Sequence, residues 1–198
     1  MAQVEPPAEP VIEVPEAYAH AEDPFDRLWT PHRMVYVKGG DRPKTDRAGK
    51  ECPFCRAVRQ DDEEALVVHR GEVAYAVLNL YPYNPGHLLV CPYEHVADYA
   101  DLSVAQRDEI GQITAAAMRV IRGVSNPHGF NLGMNQGAVA GAGIAAHLHQ
   151  HVVPRWNGDS NFLPIVAGTK AVPELLAQTR EKLAAGWDRF SSEPGEPA

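Results

Sequence analysis

Three histidines at alternate positions, His147, His149 and His151, constrain this chain more than any other feature of it. A spacing of two is the side-chain period of an extended strand, so the imidazoles face one way and Leu148, Gln150 and Val152 the other. Val152-Val153 continue the run. Ahead of it lie the small residues Ala140-Gly141-Ala142-Gly143, whose backbone N–H groups can approach an anion closely. A row of imidazoles beside such a loop is what nucleotidyl transfer through a histidine needs. A metal site or a merely polar strand face fits the same spacing, which alone does not choose.

With 198 residues, 44% of them apolar, the chain can bury one real core. The net charge of −8 argues against a general nucleic-acid surface but leaves room for a nucleotide pocket. No stretch reaches the roughly 18 apolar residues of a membrane helix. The N-terminus lacks the basic and apolar regions of a signal peptide, which points to the cytoplasm. Cys52-Pro-Phe-Cys55 suits a thiolate metal site in a reducing compartment. The rival is a thioredoxin-like redox pair, which needs a strand before it and a helix after it. Here the polar stretch 39–50 precedes and Asp61-Asp62-Glu63-Glu64 follows, which favours zinc. Cys91 stands in an apolar run and reads as a core thiol.

Residues 1–24, rich in Pro, Glu and Ala, read as a disordered arm, and 191–198 as a disordered tail. A single domain is expected over 25–190. Met34–Val37 suggests a short strand. Leu66–Val68 and Val73–Leu78 form a hairpin about Arg70-Gly71-Glu72, and Leu88–Cys91 is stopped by Pro92. Ser103 and Gln106 form a capping box for a helix running to about Arg122, with Gly123 near its end. Gly129–Met134 is a strand leading into the histidine strand, and Pro173 to about Trp187 an amphipathic helix. Adjacent strands and hairpins favour α+β, with an antiparallel sheet of about five strands and two main helices, over a doubly wound parallel sheet.

His147-Leu-His149-Gln-His151-Val-Val resembles the signature of the histidine triad (HIT) superfamily of nucleotide hydrolases and transferases, with Gln150 a departure from its apolar position. Asn79-Leu-Tyr-Pro-Tyr-Asn-Pro-Gly-His-Leu-Leu-Val-Cys-Pro92 is similar to that family's second block, and the likeness covers about residues 50–157. Leu28–Met34, Ala76–His87, Pro127–Asn131 and His151–Trp156 are similar to the actinobacterial diadenosine tetraphosphate phosphorylases, over about residues 27–187. That resemblance implies a HIT-like fold, a homodimer, and transfer of a nucleotidyl group to phosphate. It implies His149 as nucleophile, His147 fixing its tautomer through the backbone carbonyl, and His151 near the phosphate oxygens or leaving group. Asn79 matches the ribose position. Asn135 and the amides around Ala142 and Gly143 match the phosphate loop, and Trp156 covers the base or polyphosphate or else packs on the core. Some branches of the family bind zinc through positions that here are Cys52, Cys55, His95 and His147. The rival is that His95 is an ordinary loop histidine, and His32, His69 and His128 do not fit the pattern. Where many HIT hydrolases carry Gln or Ser before the triad, this chain has Gly143 and Ile144.

The reading is therefore an enzyme converting diadenosine tetraphosphate and phosphate to ADP and ATP, with structural zinc and with magnesium accompanying the substrate. The alternatives are a hydrolase of dinucleoside polyphosphates or nucleoside phosphoramidates, and a non-catalytic zinc-stabilised nucleotide-binding protein.

Overall fold

The computed structural model describes residues 52–159 and 174–192. The expected arm, the strand at 34–37 and most of the tail lie outside the described residues. Within them, β1 (Val67–Arg70), β2 (Ala74–Leu78), β3 (Leu88–Pro92), β4 (Gly129–Met134) and β5 (Gln150–Arg155) form one antiparallel sheet of order β1-β2-β3-β5-β4. A short helix α1 (Pro53–Ala57) precedes it, α2 (Val104–Ser125) links β3 to β4, and α3 (Leu176–Phe190) follows β5. No described helix is long and apolar enough to cross a membrane.

Both faces of the sheet are covered. Val68, Ala74, Ala76, Leu78, Leu88, Val90, Leu148 and Val152 pack on Ile110, Ile113, Ala117, Val120 and Ile121 of α2, with Leu183 and Trp187 of α3. On the other face Val67, Tyr75, Val77, Leu89 and Cys91 pack on Cys52 and Phe54. That two-sided burial is why β2 and β3 read as continuous apolar runs rather than alternating ones.

Between β1 and β2 the Glu109 carboxylate accepts from the N–H groups of Glu72, Val73 and Ala74 at 2.7, 2.6 and 2.6 Å. Gly71 is needed there because a Cβ would come within 2.6 Å of that carboxylate. The capping box opens α2 as expected. Gly123 does not end the helix. A Cβ on it would meet the Phe190 ring at 2.6 Å, so it lets α3 approach α2 closely. The helix stops at Asn126, which takes the left-handed conformation (φ 45°).

The histidine strand starts later than its spacing predicts. Of the three histidines only His151 lies in β5, and residues 147–149 lead into it from a bend at His147. The reason is local: the imidazole Nε2 of His147 donates to the Pro92 carbonyl (2.9 Å), and the Leu148 N–H donates to the Val96 carbonyl (2.7 Å). The alternation survives, with Leu148 and Val152 on the helix side and the histidines on the other.

Candidate active site and metal centre

Pro53 opens α1, where its fixed φ suits a first helical turn and its missing N–H costs nothing. The turn brings Cys52 and Cys55 to the same imidazole. Their sulfurs each lie 3.5 Å from His147 Nδ1, and the Cys55 sulfur lies 3.3 Å from His95 Nδ1. The four ligand atoms all fall within 4.8 Å of one another. A tetrahedral centre with metal–sulfur bonds near 2.3 Å and metal–nitrogen bonds near 2.0 Å sets sulfur and nitrogen about 3.5 Å apart. The donor set thus fits a four-coordinate metal as it stands. Because His147 Nε2 donates to Pro92, its Nδ1 lone pair faces the sulfurs. The remaining histidines stand elsewhere: His69 stacks on Trp187 at 4.4 Å and His128 Nδ1 accepts from the Asn157 N–H. His32 lies outside the described residues. Cys91 is fully buried, and burial pushes its thiol well above the usual range, in keeping with a core position.

Beside the metal cluster, the His149 ring donates from Nδ1 to the His147 carbonyl at 2.8 Å. A carbonyl can only accept, so the Nδ1 proton is fixed there and Nε2 keeps its lone pair. Burial lowers the His149 pKa against the opposing effect of that hydrogen bond, which keeps the ring neutral at physiological pH. The His151 ring lies 5.0 Å away, and burial first, then the charge of His149, lowers its pKa to about 4.

His87 completes the row, and its role is not visible in the sequence. The residue immediately precedes β3 and is fully buried. Its Nδ1 accepts from the Tyr83 N–H (3.0 Å) and faces the Asn79 side-chain amide (3.3 Å). A backbone N–H can only donate, so the His87 proton sits on Nε2, which donates to His151 Nδ1 at 2.9 Å. His151 must then carry its own proton on Nε2. That atom is buried and has no hydrogen-bond partner among the described residues, which leaves its N–H as a donor without an acceptor there. In the sequence His87 shows only as the histidine that ends the Pro-Gly-His turn of the second block, with nothing to name His151 as its partner.

The loop carrying these contacts is tied down from β5. Asn84 is buried and donates to the Pro154 carbonyl and to Asp159, both at 2.8 Å. Arg155 pairs with Asp159 at 2.6 Å, and this bond holds the Asp159 carboxyl well below the usual carboxylate range, helped by the Trp156 N–H and Asn84.

Other expected residues sit as follows. Asn79 Oδ1 accepts from the Tyr81 N–H at 3.0 Å, which leaves one lone pair on that oxygen. Asn135 directly follows β4. Gly137 and Gly141, at φ 77° and 87°, fold the loop into a tight turn. In that turn Ala142 departs from expectation: it is buried, and its N–H donates to the Gly137 carbonyl at 3.3 Å. Its amide is spent inside the loop, whereas the Gly143 N–H makes no bond among the described residues. Trp156 follows the far end of β5, about 16 Å along the strand from His151 at 3.3 Å per residue. No ring contact joins it to the triad among the described residues.

Against known proteins, a profile of the HIT domain matches residues 60–158. An AP-4-A phosphorylase from Mycobacterium tuberculosis is 50% identical over 169 residues, which cover 84% of this chain and 87% of that protein. Among solved structures, a zinc-bound histidine triad family protein from Mycobacterium smegmatis superposes with a TM-score of 0.57 at 24% identity, over 70% of this chain and 94% of that one. A hypothetical histidine triad nucleotide-binding protein from Sulfolobus tokodaii gives a TM-score of 0.57 at 25% identity, over 70% and 93%. With its domain profile matched across half the chain, and 50% identity over the 169 residues aligned with a relative of which it covers 87%, this chain belongs to the HIT family.

Proposed function

We propose that this chain is a nucleotidyltransferase that converts diadenosine tetraphosphate and phosphate to ADP and ATP through a nucleotidyl-His149 intermediate. The observation that carries the chemistry is the bond from His149 Nδ1 to the His147 carbonyl, which leaves Nε2 as the nucleophile. The substrate class is supported by the relative named AP-4-A phosphorylase.

In the first half-reaction His149 Nε2 attacks the α-phosphorus. The N–P bond forms and the P–O bond to the departing ATP breaks. The Nε2 proton of His151 hydrogen-bonds the leaving oxygen. In the second half a phosphate oxygen attacks the same phosphorus, the N–P bond breaks and ADP leaves. In this reading Asn135 and the Gly143 N–H steady the phosphate oxygens, and Asn79 Oδ1 accepts from the ribose. Such chemistry depends on positioning and charge stabilisation more than on covalent assistance.

Two thiolates and two imidazoles favour zinc, held by Cys52, Cys55, His95 and His147. When bound, the metal supplies a structural cross-link between α1 and the lead-in to β5. The protein is expected to work in the cytoplasm as a homodimer. Among the described residues β4 is an edge strand, and Leu132 on it is half exposed, which supports pairing between copies.

The test is product analysis with and without inorganic phosphate. ADP and ATP that appear only when phosphate is present are the expected result. AMP and ATP formed regardless of phosphate would make the protein a hydrolase and overturn the assignment of the acceptor.

A further inference from the structure

Phe54 stands between the two metal-site cysteines, and its ring touches both of the first two histidines. The centroid lies 5.3 Å from that of His147 at 66°, and 5.1 Å from that of His149 at 44°. The ring is buried, and its backbone carbonyl accepts from the hydroxyl of Tyr75, itself fully buried on β2, at 2.9 Å. Phe54 thus shares a buried cluster with Cys52 and Tyr75, with Cys55 packed against it, and its backbone is anchored by the Tyr75 hydroxyl.

Beside the His151 ring 5.0 Å away, His149 has two restraints on its ring that come from the side of the cysteine turn. One is the bond from Nδ1 to the His147 carbonyl. A single hydrogen bond fixes the position of one atom but leaves the imidazole free to rock about that axis. The Phe54 ring is the second restraint, and an aromatic pair at this separation has a preferred relative orientation. Both restraints are delivered by residues of the metal cluster or its loop: His147 through its backbone, and Phe54 between the cysteines. In-line attack requires the Nε2 lone pair to point at the phosphorus within a narrow cone.

We propose that Phe54 is a positioning residue that fixes the plane of the His149 imidazole, so that the Cys-x-x-Cys turn orients the nucleophile as well as holding a metal. The inference rests on the reading of His149 as nucleophile. It separates two tasks in one turn: the cysteines bind, and the residue between them aims.

The test compares Phe54→Ala, Phe54→Tyr and Tyr75→Phe in the zinc-loaded full chain, with metal content per chain, KM and kcat for diadenosine tetraphosphate, and side-chain NMR of labelled histidine. For Phe54→Ala the expected result is unchanged metal content, KM within about threefold, kcat down at least tenfold, and exchange broadening of the His149 ring signals. Phe54→Tyr keeps the ring and restores kcat to within about threefold of wild type. Tyr75→Phe leaves the ring in place but frees its anchor, and falls between. Loss of metal from Phe54→Ala would reduce Phe54 to a structural part of the metal turn, and a rise in KM with kcat unchanged would make it a substrate contact. Either result overturns the proposal. If the wild-type protein turns over nothing, the reaction reading fails by itself. The NMR comparison still decides the positioning: unchanged His149 signals in Phe54→Ala would refute it.

Discussion

Replacing His87 tests the tautomer chain that runs from Tyr83 to His151. His87→Ala removes the Nε2–H donor that lies 2.9 Å from His151 Nδ1, and leaves the Tyr83 N–H without its acceptor. His151 is then free to carry its proton on Nδ1, which turns the atom facing the substrate from a donor into an acceptor. Losing one buried hydrogen bond of this kind costs about 1–3 kcal/mol. Transferred to the barrier at about 1.4 kcal/mol per factor of ten, that is roughly a 5- to 150-fold fall in kcat. KM should change little, because His87 is fully buried behind His151. Truncating so large a buried side chain also costs stability, on the order of 2–5 kcal/mol. His87→Gln separates the two effects, since its amide oxygen can accept from Tyr83 while its NH₂ donates to His151. The assay is the steady-state rate of ATP release, normalised to the folded fraction from near-ultraviolet circular dichroism. His87→Gln should stay within about tenfold of wild type and clearly above His87→Ala. Folded His87→Ala with kcat within twofold of wild type, or a glutamine variant no better than alanine, would refute the chain of tautomers.

Stability should depend on pH through His151. Its folded pKa of about 4 lies below its ordinary 6.5, so the unfolded chain binds more protons between these values, and stability falls as pH drops through that window. The difference in unfolding free energy between wild type and His151→Asn should grow from pH 4 to about 6.5 and stay flat above; a difference independent of pH would show that His151 titrates normally. For the metal, Cys55→Ser should lower bound zinc to a small fraction of one ion per chain and lower Tm by about 5–15 °C without unfolding the domain, because the core on the helix side includes none of the four ligands. Full metal retention, or complete unfolding, would contradict the assignment.

What the sequence makes legible here is what is local or periodic. The period-two histidines, the capping box at Ser103 and the apolar runs of β2 and β3 each depend on neighbours a few residues away; the capping box and the runs stand where they are expected, and the histidines keep one face although only His151 lies within β5. The Cys-x-x-Cys pair is legible as half a metal site, but His95 and His147 join it only through a resemblance, since 40 and 92 residues separate them from Cys55. What stays hidden depends on how strands pair. β3 and β5 set Leu89 opposite His151, and two residues before Leu89, just ahead of β3, is His87, a diagonal neighbour whose ring reaches that of His151. No property of His87 itself announces this; a shift of one residue in that pairing would turn it to the opposite face, toward the helices. The same holds for Ala142, whose amide is taken by the fold of its own loop, and for Gly123, whose missing Cβ answers to a ring 67 residues away. The proposed nucleophile can be named from the motif, but the groups that contact His151 and the His149 ring, His87 and Phe54, are brought there by the sheet register and the cysteine turn. Exchanging the triad alone between HIT relatives should therefore carry less activity than exchanging it together with the residues at positions 54 and 87.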